Sequence, residues 1–244
     1  MNVQARRLDI IANDLANTNT SGYKKDVAVV SSFKEAYIMR LNDTENFIPN
    51  DETIGKITYG AKIDEVYTDF TQGSVISTSL ETDLALQGDG FFVVQTPNGL
   101  AYTRDGNFTI NQYGDLVTKE GYGVMGQEGA INLGEDYMGS AGKLAIQNNG
   151  EVYVDGAYID TLDIASFEDT KTLTKMDDNL FTGEGARKEF TGSVLQSFLE
   201  TANVNPVSAM VDMITVARAY ETNQKMIQTQ DTILGKAVNE LGRA

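Results

Sequence analysis

The sequence predicts an α+β fold in which N- and C-terminal helices form a coiled-coil-like core domain and the middle of the chain forms an antiparallel β-rich domain. Three observations predict it. Of 23 glycines, 20 lie in residues 31–205, the exceptions being Gly22, Gly235 and Gly242, so turns are concentrated in the middle. The same segment holds 11 basic and 28 acidic residues, whereas residues 1–30 hold 4 and 3 and residues 206–244 hold 4 and 4. The last part of the chain carries an apolar seam at alternating spacings of four and three, the heptad pattern of a coiled coil.

The first helix is expected over residues 2–17. Leu8, Ile11 and Leu15, with Ala5 and Ala12, form its apolar stripe, and the run Asn17-Thr18-Asn19-Thr20-Ser21-Gly22 stops it. The last helix opens at Asn203-Val204-Asn205-Pro206, where an asparagine cap precedes proline at the first helical position. It continues to about Leu241 with only Gly235 to interrupt it. Met213, Ala217, Tyr220, Gln224, Ile227, Asp231, Leu234, Val238 and Leu241 make the seam, and Val207, Met210 and Ile214 extend it upstream. At 1.5 Å per residue the first helix is about 24 Å long and the last about 54 Å, so the short one cannot cover the long one. About half of the seam needs another partner, either the middle domain or further copies of the chain.

Between the ends, short β-rich runs recur at 63–70, 90–95, 100–104, 115–119, 143–147, 151–156 and 158–167. Asn98-Gly99, Asn149-Gly150 and Asp155-Gly156 are the dipeptides that type I′ hairpin turns favour, so local antiparallel pairing is expected. Helical crossovers are absent from the pattern, which disfavours a parallel sheet. The domain division expected is 1–30 with 200–244 as the helical core, 31–72 with 183–199 as an extended connection, and 73–182 as the outer β-rich domain.

Composition removes most catalytic chemistry. The chain has no Cys, His or Trp, which excludes disulfides, thiol nucleophiles, Cys/His zinc sites and His-based triads. Its net charge of −16 opposes nucleic-acid and anionic-membrane partners. The apolar runs, such as Val27-Ala28-Val29-Val30, are far shorter than the ~20 residues of a membrane span, and Asp9, Asn13 and Asp14 interrupt any export-signal core. Gly121-Tyr122-Gly123-Val124-Met125-Gly126 fits G-x-G-x-x-G, but no helix follows to receive a pyrophosphate. Asp105-Gly106-Asn107-Phe108-Thr109 begins like a Ca²⁺ loop, yet Ile110 and Leu116 occupy the glycine and glutamate positions. No catalytic residue, cofactor or metal is expected. A secreted β-rich adhesin or a carboxylate-based hydrolase is the alternative, and in either the helical stripes would serve as core of one globular chain.

RRLDIIANDLANTNTSGYKKD (6–26) and LETANVNPVSAMVDMITVARAYETNQKMIQTQDTIL (199–234) resemble the terminal signatures of the flagellar rod and hook axial proteins. DLALQGDGFFVVQTPNGLAYTRDGNFTINQYGDLVTKEGYGVMG (83–126) is similar to the central segment of the basal-body rod proteins of that family. The resemblance implies a non-enzymatic subunit of the bacterial flagellar rod, assembling helically through its terminal helices and transmitting torque from motor to hook. It implies as partners other copies of the chain, other rod and hook proteins and the type III export apparatus, and as location the basal body outside the cytoplasm. Carried onto this chain, the N-terminal motif is matched by Asn13, Leu15, Asn17, Asn19, Gly22 and Tyr23. Its C-terminal counterpart is matched by Asn203, Val204, Asn205, Pro206, Met210, Ile214, Arg218, Ala219 and Tyr220. With Leu8, Ile11, Ala217, Ile227 and Leu234 from the stripes, these are the expected assembly residues. Asn17, Asn19 and Asn205 have a second reading as helix caps. Family members carry a further stretch before the segment that Met1-Asn2-Val3 matches, so the first helix is expected to be truncated here, through a late start, a trimmed chain, or a shorter inner helix in this member.

Overall fold

A computed structural model of the chain describes residues 1–39, 44–45, 48–49, 53–134, 143–176, 179–183 and 185–241. Helix α1 spans Asn2–Ala16 and helix α2 spans Pro206–Leu241. The stop and start signals act as expected. Thr18 donates its hydroxyl to the carbonyls of Asp14 and Leu15 at the end of α1, and Gly22 turns the chain at φ +67°. At the start of α2 the Val207 N–H donates to Asn205 Oδ1 at 3.1 Å, the side-chain cap that satisfies an orphan amide.

The chain divides into two compact units. One contains Met1–Asn13, Asp26–Tyr67 and Ser208–Ala244; the other contains Asp14–Lys25 and Thr68–Val207. The first includes the bulk of both helices and antiparallel ribbons. Asp26–Ser32 pairs with Ala61–Thr68, and Ala36–Met39 pairs with Thr53–Ile57. Residues 26–30, placed with the helical end by the sequence, are therefore strand. The β-branched run Val27-Ala28-Val29-Val30 favours a pleated surface over a helix, where branched side chains lose rotamer freedom.

The second unit is built on an antiparallel sheet with nine strands among the described residues. Its order runs Phe108–Ile110, Leu116–Thr118, Gly123–Val124, Phe91–Thr96, Gly99–Thr103, Leu180–Thr182, Thr174–Lys175. Ile164–Phe167 adds to Phe91–Thr96 and carries Arg187–Lys188 beside it. Leu144–Ile146, Glu151–Val154 and Ala157–Thr161 form a separate three-stranded meander. Segment 183–199, expected as extended connection, instead pairs within this unit: Ser193–Gln196 lies against Leu84–Gln87, and Phe198–Glu200 against Val75–Ser77.

Phe91-Phe92-Val93-Val94 shows why the unit holds together. Side chains alternate between faces along a strand, yet all four are buried, so both faces are covered. Phe92 and Val94 join Phe108, Leu116, Ile131 and Val152 on one side; Phe91 and Val93 join Tyr102, Phe167 and Phe181 on the other. Phe92 meets Phe108 edge-on at 5.1 Å between ring centroids, and Phe70 meets Phe181 at 5.0 Å, the geometry that ring quadrupoles favour.

Two of the three hairpin expectations are modified. Asp155 (φ +53°) and Gly156 (φ +84°) make the type I′ turn. At Asn98-Gly99 the register pairs Gly99 with Thr96, so Pro97 and Asn98 are the linking residues and Gly99, at φ +125°, follows the turn. Pro97 explains the shift, because its ring holds φ near −65° and suits the first corner of a type I turn, not of a I′ turn. At Asn149-Gly150 the Gly150 N–H donates to the Gln147 carbonyl, closing a turn one residue earlier. The expected run 158–167 is two strands, because Leu162 pairs in register with Gly126, with the Gln127 N–H donating to the Thr161 carbonyl and the Asp163 N–H to the Met125 carbonyl.

Candidate assembly surface

The expected site residues fall into two environments. On α2, Met213, Ala217, Ala219 and Tyr220 are half-buried and Val216 is buried, so the seam is covered over about two turns. Upstream, Pro206, Val207, Met210, Ile214 and also Arg218 are exposed. Downstream, every residue from Glu221 to Asn239 is exposed, including Ile227 (47 %), Leu234 (63 %) and Val238 (71 %). Solvent-facing apolar side chains repeating at heptad spacing are a surface that gains stability only when covered. On α1, Leu8, Ile11 and Leu15 are half-buried and Asn13 is exposed. The first turns of α1 flank an open cleft of about 820 Å³ whose walls include Val3, Arg6, Phe33, Tyr59 and Lys62.

The second environment belongs to the β unit. Gly22 and Tyr23 are buried there, Asn17, Asn203 and Val204 are half-buried, and Asn19 and Asn205 are exposed. Thr20 Oγ1 donates to Asn17 Oδ1, which ties the chain just past α1. A Cβ on Gly22 would overlap the backbone of Arg104 and Asp105, so only glycine fits at this positive φ. The Tyr23 hydroxyl donates to Asp14 Oδ1 at 2.8 Å, and the Lys175 ammonium stands 4.3 Å over the Tyr23 ring. Asn203 is the most connected of the group. Its Oδ1 accepts from the Lys25 N–H at 2.9 Å, and its Nδ2 lies 2.7 Å from the Asp69 carbonyl and 3.2 Å from both Thr71 oxygens.

Beside Asn203 is a buried ionic cluster that the sequence did not mark. Lys24 Nζ donates to Glu200 Oε1 at 2.6 Å and to the Thr71 carbonyl at 2.7 Å, with side chains 0 % and 1 % exposed for Lys24 and Glu200. The Gly73 N–H also donates to Glu200 Oε1, and Arg104 NH1 approaches Oε2 at 3.4 Å while NH2 donates to the Gly88 carbonyl. Burial lowers the pKa of Lys24 below the ordinary lysine value, with the neighbouring Glu200 charge opposing it, and burial lowers Arg104 in the same way. At Asp69 burial acts upward, but hydrogen bonds from Thr71 and the Lys25 charge outweigh it and leave the carboxyl low. Asp105, by contrast, is raised by burial despite accepting from Ser21 Oγ at 2.6 Å. Among the described residues there is no group of three or more side chains suited to a metal ion, and no helix is long and apolar enough to cross a membrane.

As a class, this is an α+β structural chain with an amphipathic helix at each end and a doubly covered antiparallel sheet between them. Comparison with known families sharpens the class. Residues 1–24 match the family described as flagella basal body rod protein, residues 85–154 the flagellar hook protein FlgE/F/G D1 domain, and residues 195–240 the flagellar basal body rod FlgEFG protein C-terminal region. The chain is 35 % identical to the flagellar basal-body rod protein FlgG of Borreliella burgdorferi, over 98 % of this chain and 94 % of the relative. It is 34 % identical to FlgG of Bacillus subtilis over 96 % of this chain and 92 % of the relative. A third relative, the rod protein FlgF of Rhizobium meliloti, is 32 % identical over 97 % and 92 % respectively. The chain belongs to the flagellar basal-body rod protein family.

Proposed function

We propose that the chain is a structural subunit of the flagellar basal-body rod and that it assembles by burying the exposed seams of α1 and α2 against other copies and against other rod and hook proteins. In this reading the two ends form the axial core, and the assembled shaft carries torque from motor to hook. The chain leaves the cytoplasm through the flagellar type III export apparatus. The observation that carries the proposal is the exposed apolar series on α2, Met210, Ile214, Ile227, Leu234 and Val238, with all of residues 221–239 uncovered. Full burial of a wholly exposed side chain of this kind contributes about 1.5–3 kcal/mol, so these five, 47–71 % exposed, supply several kcal/mol per subunit toward the cost of association.

Asn13, Asn19 and Arg218 add exposed polar groups suited to intersubunit bonds, whereas Gly22, Tyr23 and Asn203 serve by holding the roots of the helices. Ile227→Asp and Leu234→Asp test the reading in cells. Each variant should be expressed and folded in its β unit yet be absent from purified basal bodies. Normal incorporation of both would remove the seam from the account.

A further inference from the structure

We infer that Asn203 is a positioning residue that clamps together three of the four chain passages into and out of the β unit, so that a pull or twist on one of these passages is shared by all three. This extends the rod reading, which supplies the load. The chain enters or leaves the β unit at four points, near Asp14, Lys25, Thr68 and Val207, and the last three converge on one side chain. One amide side chain reaches all three on the β-unit side. Asn203 stands four residues before Val207 in the third passage, accepts from the Lys25 N–H of the first, and donates to Asp69 and Thr71 of the second.

The surrounding bonds repeat the pattern. Asp69 N–H donates to the Lys25 carbonyl, Gly22 N–H to the Glu200 carbonyl, Asn203 N–H to the Tyr23 carbonyl, and Thr201 N–H to the Ser74 carbonyl. Each bond joins two passages, and the Lys24–Glu200 pair with its contact to Thr71 joins all three again. An amide is suited to this position because it offers an acceptor and two donors without charge. Aspartate would keep the acceptor and lose the donors, and leucine would lose both at similar volume.

The test is hydrogen exchange on the full chain carrying Asn203→Asp or Asn203→Leu. A clamp predicts local opening: the amides of Gly22, Asp69, Thr201 and residue 203 exchange about tenfold or more faster, while those of Leu116 and Ile131 in the sheet keep their wild-type rates. Unchanged amides around the clamp in both variants overturn the inference. So does acceleration of clamp and sheet amides by the same factor, which marks a general loss of stability. In cells, a deletion strain complemented with Asn203→Leu should carry filaments but shed them or stop swimming as medium viscosity is raised. Wild-type swimming at every viscosity overturns load sharing, and the rod reading survives it; filaments on the deletion strain itself would instead sink the rod reading.

Discussion

Among the described residues Glu200 is the one anion directly bonded to two buried cations, and its neutralisation should be strongly destabilising. In Glu200→Gln the amide oxygen can still accept from Gly73, but Lys24 loses its counter-charge at a site with 0 % exposed side chain. Arg104 retains an attraction to Asp89, so Lys24 bears the larger part of the loss. Breaking a buried pair in this way costs about 3–5 kcal/mol. The ceiling has a physical origin: Lys24 can shed its proton, and at pH 7 that costs about 4.6 kcal/mol for a group with an unfolded pKa near 10.4. Against a typical domain stability of roughly 5–15 kcal/mol the effect is large.

Lys24→Met removes the other partner, yet leaves Glu200 balanced by Arg104, fills the lysine stem, and leaves the Thr71 carbonyl a donor in Asn203. Its cost should be about 1–2 kcal/mol. The order is thus asymmetric, and Lys24→Met should partly rescue Glu200→Gln in a double-mutant cycle. The pH dependence follows from linkage. In Glu200→Gln the folded-state pKa of Lys24 falls further below its unfolded value, so the unfolded chain binds more protons and stability rises with pH in that window. The gap to wild type should narrow by up to ~1.4 kcal/mol per pH unit between pH 7 and 9. Urea unfolding followed by circular dichroism at both pH values measures it. Equal losses in the two single variants, or a gap that widens with pH, would refute the reasoning.

Gly22→Ala should destabilise the β unit by about 1–3 kcal/mol, read as a lower urea midpoint, because a Cβ meets the Arg104 and Asp105 backbone at φ +67°. Asp105→Asn should be neutral or stabilising at pH 7. Burial raises the carboxyl's folded pKa above 3.8, so its ionised form costs stability at neutral pH and that cost is recovered as pH falls through the folded pKa; the variant's advantage should therefore shrink toward pH 4 in parallel urea titrations. Ile227→Asp should leave the monomer's unfolding free energy, measured in urea, within about 0.5 kcal/mol of wild type, since its side chain is already 47 % exposed, and thereby separate assembly from folding.

The ends of the chain were legible because their signals are local. Asn205-Pro206 and the Asn17–Gly22 run mark helix boundaries within the residues that form them, and the heptad spacing shows the seam without tertiary knowledge. The strand runs were legible for the same reason, with boundaries displaced where a neighbour intervened, as Pro97 did at one hairpin and Gly126 did at Leu162. The ionic cluster was not. Lys24, Arg104 and Glu200 are ordinary charged residues separated by 176 and 96 positions from their partners, and nothing in sequence spacing distinguishes a buried charge from a solvated one. The family resemblance pointed to Gly22, Tyr23 and Asn203, and the structure adds what they do: they occupy the root of the helices, where Gly22 permits a close approach and Asn203 joins three segments.

The central claim is that the α2 seam is completed only by other subunits, and hydrogen exchange over residues 221–239 tests it most directly. In dilute monomer these amides should exchange with little protection while Phe91–Thr96 stays protected, and in purified basal bodies both segments should be protected. Strong protection of residues 221–239 in dilute monomer, or no gain on assembly, would contradict it.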